Sequence, residues 1–94
     1  MGINDIREEI AVVDAEIVGL IKRRQSLAGK MAQEKVREGR PPVDPKQREQ
    51  VIARAVDQAV LAGIDPVAIR EIFTNLVMMS ELKQKGCMGG GNLP

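Results

Sequence analysis

The sequence predicts an all-α fold with three helices per chain, one very long and two shorter. Apolar residues recur at intervals of three and four from Ile3 to Met31, which keeps them on one side of a helix. Asp-Pro pairs at 44–45 and 65–66 each supply an N-cap followed by proline at the first helical position. No stretch alternates polar and apolar residues as a strand does, so the three helices account for the ordered chain.

The first helix is expected to run from Asn4 or Asp5 to about Glu38, where Gly39 ends it. At roughly 1.5 Å per residue it would be about 50 Å long, whereas a compact domain of this size has a radius of gyration of about 12 Å. Acidic residues concentrate in its first half and basic residues in its second, so the helix is complementary to an antiparallel copy of itself. We therefore expect an intertwined homodimer.

The second and third helices follow from the two Asp-Pro pairs. The second is expected over 45–62, where Gly63 ends it, and the third over 66–85, where Gly86 ends it.

The length of 94 residues suits one domain. We expect a single helical domain over 1–86, followed by a flexible Gly-rich tail over 87–94 with three consecutive glycines.

Composition excludes several function classes. Lys and Arg number 14 against 13 Asp and Glu, and Phe73 is the single aromatic residue, so no nucleic-acid partner is expected. The absence of histidine removes Ser-His-Asp catalysis and His-ligated metals, and one cysteine, Cys87, cannot form an internal disulfide. No apolar run reaches membrane-spanning length, and the acidic first 20 residues are unlike a signal peptide. We expect a cytoplasmic protein with no cofactor, metal or membrane partner.

Arg24 stands where the apolar stripe of the first helix calls for a hydrophobic residue. A guanidinium is essentially always ionised, so it must reach water or face an anion. Lys35 returns to nearly the same side of the helix three turns later. Two fixed cations on one apolar face indicate a pocket for a small dianion, and the alternative is that both side chains extend to the surface.

Polar side chains also interrupt the apolar stripe of the third helix. Ser80 and Gln84 continue the line of Phe73 and Leu76, where a core would favour aliphatic residues. This pattern makes both residues candidates for the same pocket.

Several short motifs follow one another along the chain in an order and spacing that indicate a family. They are Ile6-Arg7-Glu8-Glu9-Ile10 with Asp14, Arg23-Arg24-Gln25-Ser26-Leu27-Ala28, Lys35, Pro42-Val43-Asp44-Pro45, Arg48-Glu49, and Ser80 with Gln84. With this order and spacing, the chain from about Ile3 to Gln84 resembles the stand-alone, all-helical class of chorismate mutases. The resemblance implies the Claisen rearrangement of chorismate to prephenate in phenylalanine and tyrosine biosynthesis. That reaction needs no nucleophile, because the catalyst holds the substrate in its reactive shape and stabilises developing charge.

The resemblance also implies residue roles. Arg24 would bind one substrate carboxylate and Arg7 of the partner subunit the other, so each active site would be shared between two chains. Lys35 and Gln84 would donate hydrogen bonds to the ether oxygen whose bond breaks.

Four further residues would complete the site. Glu49 would accept a hydrogen bond from the ring hydroxyl, Asp44 would hold the same end, Arg48 would brace the acids and Ser80 would contact a carboxylate. The family usually has Asp-Pro-x-Arg-Glu before the second helix, and here that segment is one residue longer. The extra residue turns Arg48 and Glu49 by about 100° relative to a cap fixed at Asp44. We expect Glu49 to keep its place in the pocket at the expense of Asp44.

Two other functions fit the same sequence. Relatives of this fold eliminate pyruvate from isochorismate to give salicylate, so an isochorismate-pyruvate lyase is one alternative. A non-catalytic helical dimerisation module, with all of its charges solvated, is the other.

Overall fold

The computed structural model describes residues 1–88, which form three helices and no strand. Helix α1 spans Ile3–Glu38, α2 spans Pro45–Ala62 and α3 spans Pro66–Cys87. The predicted all-α class with three helices is therefore confirmed for this part of the chain. Residues 89–94, which make up most of the predicted tail, lie outside the described residues. No helix within 1–88 is both long and apolar enough to cross a membrane.

Helix α1 begins slightly before its predicted start. Gly2 is the N-cap, and its backbone N–H donates to the carboxylate of Asp5 at 3.1 Å. The helix thus begins one or two residues before the predicted start at about Asn4 or Asp5, and Asp5 acts from inside the first turn, where a carboxylate satisfies a free backbone donor.

Both shorter helices begin at the predicted aspartate caps. Asp44 Oδ1 accepts from the backbone N–H groups of Lys46 and Gln47 at 3.1 and 3.2 Å. Asp65 Oδ1 accepts from the N–H of Val67 at 2.9 Å. Each carboxylate satisfies donors that have no partner within the helix, so each aspartate fixes the helix register from its first turn.

Glycines end two of the helices. Gly39 and Gly63 cap α1 and α2 with φ of 67° and 72°, a left-handed conformation that glycine adopts without strain. Helix α3 instead continues through Gly86 to Cys87, with Met88 as its cap. The predicted end before Gly86 is wrong because glycine inside a helix costs only about 1 kcal/mol, and two of the residues assigned to the tail extend the helix and its cap.

Helix α3 packs against both α1 and α2, which do not pack against each other. It runs parallel to the second half of α1, since Arg24 contacts Leu76 and Lys35 contacts Gln84. Mostly small side chains are buried between the helices, which allows close approach of their backbones. The buried apolar residues are Ala28, Ala32, Ile52, Ala55, Ala59 and Val77.

The first half of α1 has no packing partner among residues 1–88. Every residue from 3 to 20 is exposed. The molecule is 54 Å long and has a radius of gyration of 16.5 Å, against about 12 Å for a compact chain of this length. The uncovered apolar stripe is 46–70% exposed and consists of Ile3, Ile6, Ile10, Val13, Ile17 and Leu20.

Candidate active site

A cleft lies between the second half of α1, the start of α2 and the second half of α3. The cleft is partly open to solvent, and a single chain encloses about 90 Å³ there, less than the roughly 300–1,000 Å³ typical of small-molecule sites. Its lining is rich in charged and amide side chains and consists of Arg24, Lys35, Pro42, Asp44, Gln47, Arg48, Val51, Val77, Ser80, Glu81 and Gln84.

The two cations of α1 line this cleft. Arg24 Nη1 donates to the backbone oxygen of Leu76 at 3.1 Å. Lys35 Nζ donates to the backbone oxygen of Pro42 at 2.9 Å and to Gln84 Oε1 at 2.7 Å. Both cations are half-buried and held toward α3, so they do not extend away from the protein as freely solvated side chains would.

Gln84 is the buried polar residue of the cleft, with 7% of its surface exposed. An ammonium group can only donate, so the contact with Lys35 fixes which amide atom is the oxygen. Gln84 Nε2 then donates to Ser80 Oγ at 3.2 Å. The amide is thus oriented at both ends, and one of its two N–H bonds is left for a ligand.

Arg48 and Glu81 form an ion pair across the cleft wall, from α2 to α3. Arg48 Nε donates to Glu81 Oε2 at 2.7 Å, and Nη2 donates to Oε1 at 3.3 Å. The side chain of Glu81 is 16% exposed and that of Arg48 35%. The hydrogen bond to Glu81, and then its negative charge, raises the pKa of Arg48 above the ordinary arginine value, so Arg48 is charged at every physiological pH.

The sequence reasoning did not identify Glu81. Glu81 lies four residues after the buried Val77 and three before Gln84, so it shares their face of α3. That helical spacing is the signal that could have found it.

The structure does not bring Glu49 into the cleft. Glu49 is exposed, and Gln47 and Arg48 occupy the lining of the first turns of α2. Because the cap at Asp44 sets the helix register, the extra residue turns Glu49 by about 100° around the helix axis from the position that Asp-Pro-x-Arg-Glu spacing would give it. Asp44 thus keeps its place as the cap and in the cleft lining, whereas Glu49 lies outside the cleft of the single chain, and its contact with the ring hydroxyl stays a prediction. The predicted residues that do meet in the cleft are Arg24, Lys35, Asp44, Arg48, Ser80 and Gln84.

Arg7 also lies away from the cleft of its own chain. It is exposed on the first half of α1, and the 17 residues to Arg24 correspond to about 25 Å along the helix axis. An arginine side chain cannot span that distance, so any contribution of Arg7 to such a site must come from a second chain.

The chemistry of the cleft suits a small anion. Three cationic side chains and two carboxylates line it, so it carries a net positive charge, and serine and glutamine side chains add neutral hydrogen-bonding groups. Within residues 1–88 no group of three or more acidic, cysteine or histidine side chains is arranged to hold a metal ion. The groups that this cleft offers to a ligand are mainly the hydrogen-bond donors of arginine and lysine.

Comparison with protein families adds the deciding observation. The family model for chorismate mutase type II matches residues 6–85. The chain belongs to this family. The match reaches from the first turns of α1 to the last turn of α3 and includes every site residue that the resemblance named. The predicted relationship to helical chorismate mutases is therefore confirmed. No curated protein compared with the chain is significantly similar to it.

Proposed function

We propose that this member of the chorismate mutase type II family is an isomerase that converts chorismate to prephenate, in the cytoplasm, as a step toward phenylalanine and tyrosine. One observation carries the proposal. The Lys35 ammonium and the buried Gln84 amide are joined at 2.7 Å inside a cationic cleft. This is a fixed pair of hydrogen-bond donors in a site that favours anions.

The reaction explains why such a pair is sufficient. The ether C–O bond of chorismate breaks while a new C–C bond forms within the same molecule, and no proton or nucleophile takes part. Negative charge develops on the ether oxygen in the transition state. Lys35 and Gln84 would donate hydrogen bonds to that oxygen, and because their positions are already fixed they need little reorganisation when the charge appears.

The remaining cleft residues would bind the substrate. Arg24 and Ser80 would contact one carboxylate, Arg48 would brace the acids through its charge, and Asp44 would hold the ring end. These contacts would hold the flexible substrate in the compact conformation from which the bond can form.

The second carboxylate would be bound by Arg7 of the partner subunit. The cleft has three cations and two carboxylates, so one further arginine would bring its net charge to two and match a dianion. The uncovered stripe over residues 3–20 and the separation of charges along α1 support an antiparallel homodimer, which would cover the stripe and bring Arg7 to the other chain's cleft.

Following the absorbance of chorismate after addition of the protein tests this proposal. We expect the absorbance to fall with the formation of an equal amount of prephenate. Lys35→Ala should lower the rate at least 100-fold, as expected for loss of a donor to developing charge, whereas Lys30→Ala on the exposed side of α1 should not.

Two outcomes contradict the proposal. If chorismate is stable and isochorismate is cleaved to salicylate and pyruvate, the chain is a lyase of the same fold. If neither compound reacts with folded protein, the chain is a non-catalytic dimerisation module.

A further inference from the structure

We propose that Glu81, held by Arg48, accepts the hydrogen bond of the substrate's ring hydroxyl and so selects a hydroxylated substrate. This inference rests on the proposed function, because the substrate is taken to be chorismate. Helix α2 supplies no glutamate to the cleft, since Glu49 is exposed and lies outside it.

The position of Glu81 is the first argument. Asp44 and Glu81 are the two carboxylates that line the cleft within residues 1–88. Asp44 Oδ1 accepts from two backbone N–H groups at the start of α2 and thereby caps that helix. Both oxygens of Glu81 instead accept from Arg48, and each oxygen retains a second lone pair for another donor.

The charge of the ligand is the second argument. An ionised carboxylate can only accept hydrogen bonds, and it repels the carboxylates of a dianion. In chorismate the ring hydroxyl is the single hydrogen-bond donor once both carboxyl groups are ionised. A glutamate in the wall of a chorismate site therefore has one favourable orientation for the substrate, with the hydroxyl toward it and both carboxylates away from it.

The spacing on α3 is the third argument. Glu81 and Gln84 are three residues apart, so their Cβ atoms lie about 5–6 Å from each other on one helix face. A ring whose ether oxygen contacts Gln84 can therefore present a hydroxyl to Glu81. Arg48 balances the charge of Glu81 through two hydrogen bonds, which limits the repulsion of the substrate's carboxylates.

The test compares chorismate with an analogue in which hydrogen replaces the ring hydroxyl. The wild-type protein should favour chorismate by about 10- to 100-fold in kcat/KM, the effect of one hydrogen bond to a charged group. In Glu81→Ala this preference should fall to less than about 3-fold, because no charged acceptor remains. Glu71→Ala, an exposed substitution on the same helix, should retain the wild-type preference.

Each other outcome overturns the inference. If Glu81→Ala slows both substrates by the same factor, the residue only supports the fold through Arg48. If Glu49→Ala is the variant that loses the preference, Glu49 is the acceptor. If Glu81→Ala does not fold, Glu81→Gln is measured in its place. A preference for chorismate as large in Glu81→Gln as in the wild type then overturns the inference. If the wild-type protein converts neither compound, the proposed function is contradicted as well. If the wild type is active and the Glu81 variant keeps its preference for the hydroxylated substrate, only this inference is contradicted.

Discussion

Arg24 has a half-buried guanidinium on the otherwise apolar face of α1, where it donates to the Leu76 carbonyl. Arg24→Ala should lower kcat/KM by about 30- to 5,000-fold, since losing one partner of a buried charged pair costs about 2–5 kcal/mol. The melting temperature should be unchanged or raised, because a charge leaves an apolar stripe.

Kinetics and thermal melts of Arg24→Ala, compared with Arg23→Ala on the exposed side of the same turn, check this prediction. A loss of fold with full activity per folded molecule would show that Arg24 is structural.

Gln84 should determine how the activity depends on pH. In Gln84→Glu the new carboxyl can donate to the ether oxygen only while it is protonated, so activity should rise as the pH falls. Lys35, whose Nζ lies 2.7 Å from the present amide oxygen, favours the ionised carboxylate and should confine the rise to acid pH. The pH profile of kcat/KM measures this, with the wild type as reference. A variant profile parallel to the wild type would remove Gln84 from the ether contact.

Sequence reasoning could identify Arg24, Lys35 and Gln84 because a polar side chain in an apolar helical stripe is visible within one helix. The spacing of Glu81 from Val77 and Gln84 could have placed it on the same face of α3. Its ion pair with Arg48 could not be predicted, because Arg48 lies on another helix and no spacing within α3 contains that partner.

At the scale of the helices, the two aspartate caps form a matched pair. Asp44 accepts from two backbone N–H groups of the first turn and Asp65 from one, and each precedes a proline. Asp44→Ala and Asp65→Ala should therefore cost similar stability, about 0.5–2 kcal/mol each. Only Asp44 also lines the cleft, so only Asp44→Ala should reduce kcat/KM beyond its loss of folded protein.

Urea unfolding and kinetics on both cap variants measure these effects. Equal activities per folded molecule would limit Asp44 to its role as a cap.

Helix boundaries could be predicted where a side chain or a glycine conformation marks them locally. The starts after Asp44 and Asp65 and the ends at Gly39 and Gly63 are of this kind. The end of α3 is different, because packing against the neighbouring helices outweighs the weak helix-breaking preference of Gly86.

At the scale of the whole molecule, the proposed shared site can be tested by mixing two inactive proteins. Arg7→Ala and Arg24→Ala homodimers should each be nearly inactive, because every site lacks one carboxylate contact. After the two are refolded together in equal amounts, about half of the dimers should be mixed. Each mixed dimer places both substitutions in one site and leaves the other intact, so about a quarter of wild-type activity should return.

Refolding each variant alone is the control. If mixed dimers form, as shown by a size tag on one variant, and activity stays absent, then Arg7 and Arg24 do not act at the same interchain site.

The way in which the cleft residues hold one another has a consequence for which ions can compete with a substrate. Arg24, Lys35 and Arg48 each donate to an acceptor of the protein itself. These bonds use one of the five N–H donors of Arg24, two of the three of Lys35 and two of the five of Arg48, so each cation is held in place while further donors are left over. An inorganic monoanion such as chloride can contact only a few of these donors, whereas a dicarboxylate engages several at once for a single loss of translational freedom. The cleft can therefore favour a dicarboxylate over the abundant monovalent salts of its surroundings without a steric barrier.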